Sequence, residues 1–95
     1  MREEQALEVI NSGENTAHEL LSEVMPNAAS RFYRTAKTLN KLLEEVREHF
    51  PDATYYSASG TLCLMIGRSH GDNERAQQEL VAHVAPKLNI EGGDW

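Results

Sequence analysis

The chain has 95 residues, 40% of them apolar, and a formal net charge of -6. A chain of this length buries only about 60 to 65% of its unfolded surface, which predicts one domain over residues 1–90 and a flexible tail at 91–95. The single Cys63 excludes a disulfide framework, no apolar run reaches the roughly 18 residues that span a bilayer, and "MREEQALEV" is acidic where a secretory leader is basic; a soluble, cytoplasmic product is expected.

"REEQALEVIN" sets Ala6, Leu7 and Ile10 at helical spacing, and "SGEN" supplies a helix stop. A second helix is predicted to start near Asn15 or Thr16, with Ala17, Leu20, Leu21 and Val24 as its apolar face, and to end before Pro26. The third helix carries the strongest signal. Ala29, Phe32, Ala36, Leu39, Leu43, Val46 and Phe50 step by alternating threes and fours, a heptad seam that Tyr33 and Leu42 widen. A helix of about 23 residues is roughly 35 Å long, more than a domain this small needs for its own core. Either the first two helices cover the seam or a second chain does. Phe32, Ala36, Leu39, Leu43, Val46 and Phe50 are therefore the candidate residues for partner binding or self-association.

Beyond Pro51 the period changes. Thr54, Tyr55 and Tyr56 face Leu62 to Ile66 across a turn at Ser59-Gly60, so a β-hairpin is predicted with Tyr55 opposite Leu64 and Tyr56 opposite Cys63. An isolated hairpin is marginal in water and must pack on helices or gain strands from a second copy. After the polar connector "GRSHGDN", a fourth helix is expected from Asp72 or Asn73 to about Ala85, with Ala76, Leu80 and Val84 on its face. The predicted order is α-α-α-β-β-α, an α+β domain with a long third helix.

No catalytic signature emerges. His18, His49, His70, His83 and Cys63 lack the paired spacings of a metal site, so no metal and no cofactor is expected. Ser69, His70 and Asp72 sit in one short connector, where such residues make turns and caps rather than a nucleophilic triad, and no enzyme is expected. The charged residues of the third helix are more informative. Arg31, Arg34, Lys37 and Lys41 form a basic stripe that Glu44, Glu45 and Glu48 continue, the reverse of what the helix dipole favours. Three arrangements explain it. Glu19 and Glu23 neutralise Arg31 and Arg34 across a helical hairpin; two copies of the third helix pair antiparallel; or the stripe contacts phosphate or an acidic partner. Three helices and a hairpin are similar in order to a winged-helix domain, but "YYSASGTLC" has no Lys or Arg and the chain is acidic, so nucleic acid is disfavoured.

The ending "EGGDW" permits the codons GAA GGA GGT GAT, a ribosome-binding site for a following gene. In this, and in size and acidity, the chain resembles the small accessory proteins of lambdoid phages and prophages. The resemblance implies a modulator that binds a host or partner protein; it implies no fold and no catalytic residue. The expectation is a small non-enzymatic interaction protein, self-associating through the seam or the hairpin edge, with a nucleic-acid-binding regulator as the alternative.

Overall fold

The structure, a computed structural model, describes residues 1–92. Its elements run α1 (Glu3–Asn11), α2 (Ala17–Val24), α3 (Ala28–Arg47), β1 (Thr54–Ala58), β2 (Thr61–Met65), a 3-10 turn (Gln78–Leu80) and β3 (Val81–Ala85), an α+β arrangement. Their contacts group into two compact units, residues 1–38 and the chain from Leu39 onward, with the boundary inside α3. The tail expected at 91–95 falls largely on Gly93, Asp94 and Trp95, which lie outside the described residues. Just before it, the Ile90 N–H donates to the Gly60 carbonyl at 3.2 Å.

Local signals shape the first unit. Thr16 and Glu19 make a reciprocal capping box: the Glu19 N–H donates to Thr16 Oγ1 at 3.2 Å and the Thr16 N–H to Glu19 Oε1 at 2.8 Å. The chain leaves α1 through Gly13, whose φ of +84° suits a residue without Cβ. It leaves α2 at Met25, just before Pro26. α1 has nine residues and α2 eight, lengths at which an isolated helix is unstable in water and depends on its packing. None of the three helices contains a buried residue.

The second unit holds the core. β1 and β2 pair antiparallel with Tyr55 opposite Leu64, Tyr56 opposite Cys63 and Ala58 opposite Thr61, which leaves a two-residue loop. Ser59 and Gly60 both have positive φ, 52° and 80°, as a type I′ turn requires. The alternation places Cys63 and Met65 on one face, where they are buried together with Ala53. On the other face the Tyr55 hydroxyl donates to the Leu39 carbonyl at 2.8 Å. Arg47 Nε donates to the Ala53 carbonyl at 2.7 Å, so both ends of the C-terminal half of α3 are tied to the start of the sheet.

The fourth helix expected over residues 72–85 does not form. Residues 69–77 fold back on themselves through the His70↔Ala76 bridge, one 3-10 turn follows, and β3 pairs antiparallel with β2, with Leu62 opposite Ala85 and Leu64 opposite His83. Ala76, Leu80 and Val84 are three positions at helical spacing, too few to outweigh the open edge of β2. "VAHVA" supplies two β-branched residues that fit that edge. The sheet order is β1-β2-β3, so the third strand a two-stranded hairpin needs comes from the chain itself. Gly67, buried, lets this return pass closely: a Cβ there would lie 2.8 Å from Leu80 Cδ1.

Candidate interaction surface

The seam of α3 has two fates. From Leu39 onward it serves the second unit: Leu39, Leu43 and Val46 are half-buried, and Leu39 and Leu42 line an open apolar hollow of about 260 Å³ with Tyr55, Leu62, Leu64 and Val84. Phe50, beyond the helix end at Arg47, is 45% exposed. In the first unit the seam is uncovered. Ala29 and Ala36 are half-buried, but Phe32 is 71% exposed and Tyr33 70% exposed, their rings in edge-to-face contact at 5.8 Å.

Around these rings the first unit is grooved. Leu21 and Met25 at the end of α2, with Ala28, Ala29, Phe32 and Tyr33 of α3, line one open apolar groove of about 360 Å³. Ala6 and Ile10 of α1, with Ala17, Leu20 and Val24 of α2, line another of the same size. Val24 is 78% exposed. Leu21 and Val24 were visible in the sequence on the apolar face of the second helix, and Tyr33 at the edge of the seam of the third. Met25 was not, because its apolar side chain follows the last residue of the periodic run and precedes a proline.

The charges flank these grooves. Arg31 borders the groove at the start of α3 and Glu23 the one between α1 and α2, while Arg34, Lys37 and Lys41 are exposed along α3. The neutralisation of Arg31 and Arg34 by Glu19 and Glu23 does not occur. Glu19 turns its carboxylate back to its own helix start, and the ion pair present among the described residues is Arg68–Asp72 at 3.1 Å, in the second unit. The N-terminal unit thus carries acidic helices and a basic helix start, with no ion pair between them among the described residues.

The second unit's polar connector shows why its nucleophile-like residues were read as a turn. Ser69 Oγ lies 3.1 Å from His70 Nδ1, but Asp72 is held by Arg68, and the His70 ring instead meets Tyr56 edge-on at 5.9 Å. Asp72 therefore does not orient the imidazole. His83, expected on a helix, stands on β3 beside the apolar hollow, and His18 borders the α2–α3 groove. Among the described residues, no helix is long and apolar enough to cross a membrane. Burial and its hydrogen bond to Leu39 make Tyr55 part of the packing, and desolvation raises its pKa above the ordinary phenol value of 10.0.

Comparison with protein families, curated proteins and solved structures finds no match for this chain.

Proposed function

We propose that the chain is a small non-enzymatic interaction protein, a phage or prophage modulator, that docks the apolar face of its N-terminal helices on a protein partner. The observation behind this is the state of residues 1–38: three helices, none with a buried residue, and two adjacent aromatic rings about 70% exposed. Patches of this kind mark association surfaces, since monomeric soluble proteins seldom leave large contiguous apolar area in water. Leu21, Val24 and Met25, of α2 and its end, are likewise exposed.

Affinity capture from a bacterial lysate, with the wild-type chain beside the Phe32→Asp/Tyr33→Asp variant, tests the reading. A protein held by the wild type and lost by the variant is the expected outcome; identical profiles would reject it. Exposure of Arg31, Arg34, Lys37 and Lys41 keeps the nucleic-acid alternative open to a separate assay. In a three-helix DNA reader the first helices brace the third, whereas here Phe32 and Tyr33 of α3 lie open. No shift of duplex or single-stranded probes is expected even at low salt, where phosphate contacts are strongest.

A further inference from the structure

We infer that the free edge of β1 pairs antiparallel with the same edge of a second copy of this chain, Tyr56 opposite Tyr56 on the two-fold axis, so that two three-stranded sheets become one of six. The inference concerns the unit from Leu39 onward and stands apart from the reading of residues 1–38.

The register of the hairpin decides which backbone groups are free. Ala58 and Thr61 flank the two-residue turn, so they exchange both of their hydrogen bonds, and alternation makes Tyr56 with Cys63 and Thr54 with Met65 the other bonded pairs. The third strand agrees. The Gly60 carbonyl accepts from the Ile90 N–H and the Ile66 N–H donates to the Leu80 carbonyl, so the even-numbered residues of that stretch turn towards the β3 side. Tyr55 and Ser57 therefore point their N–H and C=O groups away from β2. Among the described residues no backbone group meets them, and the Tyr55 carbonyl takes only the adjacent Thr54 hydroxyl, at 3.3 Å.

The two edges of the sheet are built differently. β3 carries a register shift opposite Leu64 and Met65, and Pro86 follows its last residue, two devices that keep an edge from pairing. β1 has a continuous register, and "TYYSA" contains no charge and no proline. An edge of that kind is a template for another extended backbone.

Self-matching names that backbone. With the axis at Tyr56, Tyr55 of each copy lies opposite Ser57 of the other, and each such pair exchanges two hydrogen bonds, so every outward-facing residue of β1 is used. Sliding the copies by one bonded row breaks the match. In one direction Ser57 would face Ala53, whose N–H already donates to Phe50 and whose carbonyl already accepts from Arg47; in the other Tyr55 would face Ser59, which is in the turn with positive φ. The matched register also sets Tyr56 beside its own copy in a non-bonded row, where Cα atoms are about 4.5 Å apart and aromatic pairs are favourable. Tyr56 is 38% exposed, so that row has a ring to bury.

Sedimentation of the full chain, with amide exchange as a second readout, tests this. The wild type is expected at twice 10.7 kDa by ~100 micromolar, with the Tyr55 and Ser57 amides protected as the dimer forms. Tyr56→Lys and Tyr56→Glu should each weaken self-association about tenfold, because like charges then stand opposite each other. Mixed in equal amounts, the two variants should associate with each other, since the central row is then opposite in sign. Ser57→Pro removes an N–H that β2 does not use, and it is expected to be monomeric while residues 61–65 stay protected.

A wild type that stays monomeric at that concentration overturns the inference, as does a dimer whose Tyr55 and Ser57 amides exchange as freely as in the monomer. Failure of the two Tyr56 variants to associate in the mixture overturns the register. Protection of those amides only when a captured protein is added would give the edge to a foreign strand and reject the second copy. A dimer lost in Phe32→Asp and kept in Ser57→Pro would place the contact between copies on the helical unit and reject the β1 edge.

Discussion

The two units of this chain share one helix and differ in what they do with it. The unit from Leu39 onward contains every fully buried apolar residue among those described, Ala53, Cys63 and Met65, and two hydrogen bonds tie the end of α3 to its sheet. The unit of residues 1–38 buries none, although its share of the same heptad seam includes the Phe32 ring. Periodicity therefore records that a face is to be covered and is silent on which chain covers it. In one half of α3 the cover is local, and in the other half Phe32 and Tyr33 lie open among the described residues.

The largest effect that can break this comparison is expected at Met65, 2% exposed at the end of the central strand β2. Met65→Ala should cost about 2–5 kcal/mol, the range for truncating a buried side chain that leaves a cavity. Chemical denaturation followed by exchange at residues 61–65 measures it. A loss well below this range would mean that the sheet unit is no better packed than the helical one, and the contrast would disappear.

Much of this was legible in the sequence, and the failures have physical causes. The capping box at Thr16 and the hairpin register rest on local chemistry: a hydroxyl and a carboxylate three residues apart, and a Ser-Gly pair between alternating apolar runs. Such signals need no knowledge of the rest of the fold. β3 failed because "VAHVA" is a strand only when the edge of β2 is beside it, a tertiary fact that overrides a weak helical spacing. Arg31 and Glu23 were found as charges, but which groove each one borders is set by packing. The uncovered grooves were the hardest to foresee, since Phe32 and Leu39 look alike in a heptad and only packing distinguishes them.

A mid-sized effect sharpens where the sheet unit begins. The Tyr55 hydroxyl donates to the Leu39 carbonyl across the turn from α3 into β1. Tyr55→Phe should destabilise that unit by about 0.5–1.5 kcal/mol, the net value of one such bond. The pH dependence has a definite sign. Burial raises the folded-state pKa above the ordinary 10.0, so the native state holds this proton more tightly than the unfolded chain does. Its stabilising contribution is complete below the unfolded pKa and is lost as pH rises through the folded value. Between about pH 9 and 11 the wild type should lose more stability than Tyr55→Phe, measured by denaturant midpoints. Equal slopes would mean that Leu39 is not held by the phenol, leaving the Arg47–Ala53 hydrogen bond to tie α3 to the start of the sheet.

The smallest effect lies at the hairpin loop, where the sheet unit itself keeps a local conflict. Ser59 has φ 52° and Gly60 φ 80°. Gly60 adopts that conformation without a Cβ penalty, but an L-residue such as Ser59 is strained in it, and asparagine tolerates it better because its short amide bonds to nearby backbone. Asn-Gly is also the preferred pair for this turn. Ser59→Asn should therefore stabilise the hairpin by about 0.5 kcal/mol, seen as a rise of ~2–4 °C in melting temperature. Gly60→Ala should do the opposite at about 1 kcal/mol: the space around it is empty, so the penalty comes from the backbone alone. Neither change should alter partner capture by residues 1–38, because the turn is remote in sequence from them and contributes nothing to their grooves. If Ser59→Asn strengthened that capture along with stability, the hairpin end would have to be part of the interface, and the surface waiting for a partner could no longer be assigned to the helical unit alone.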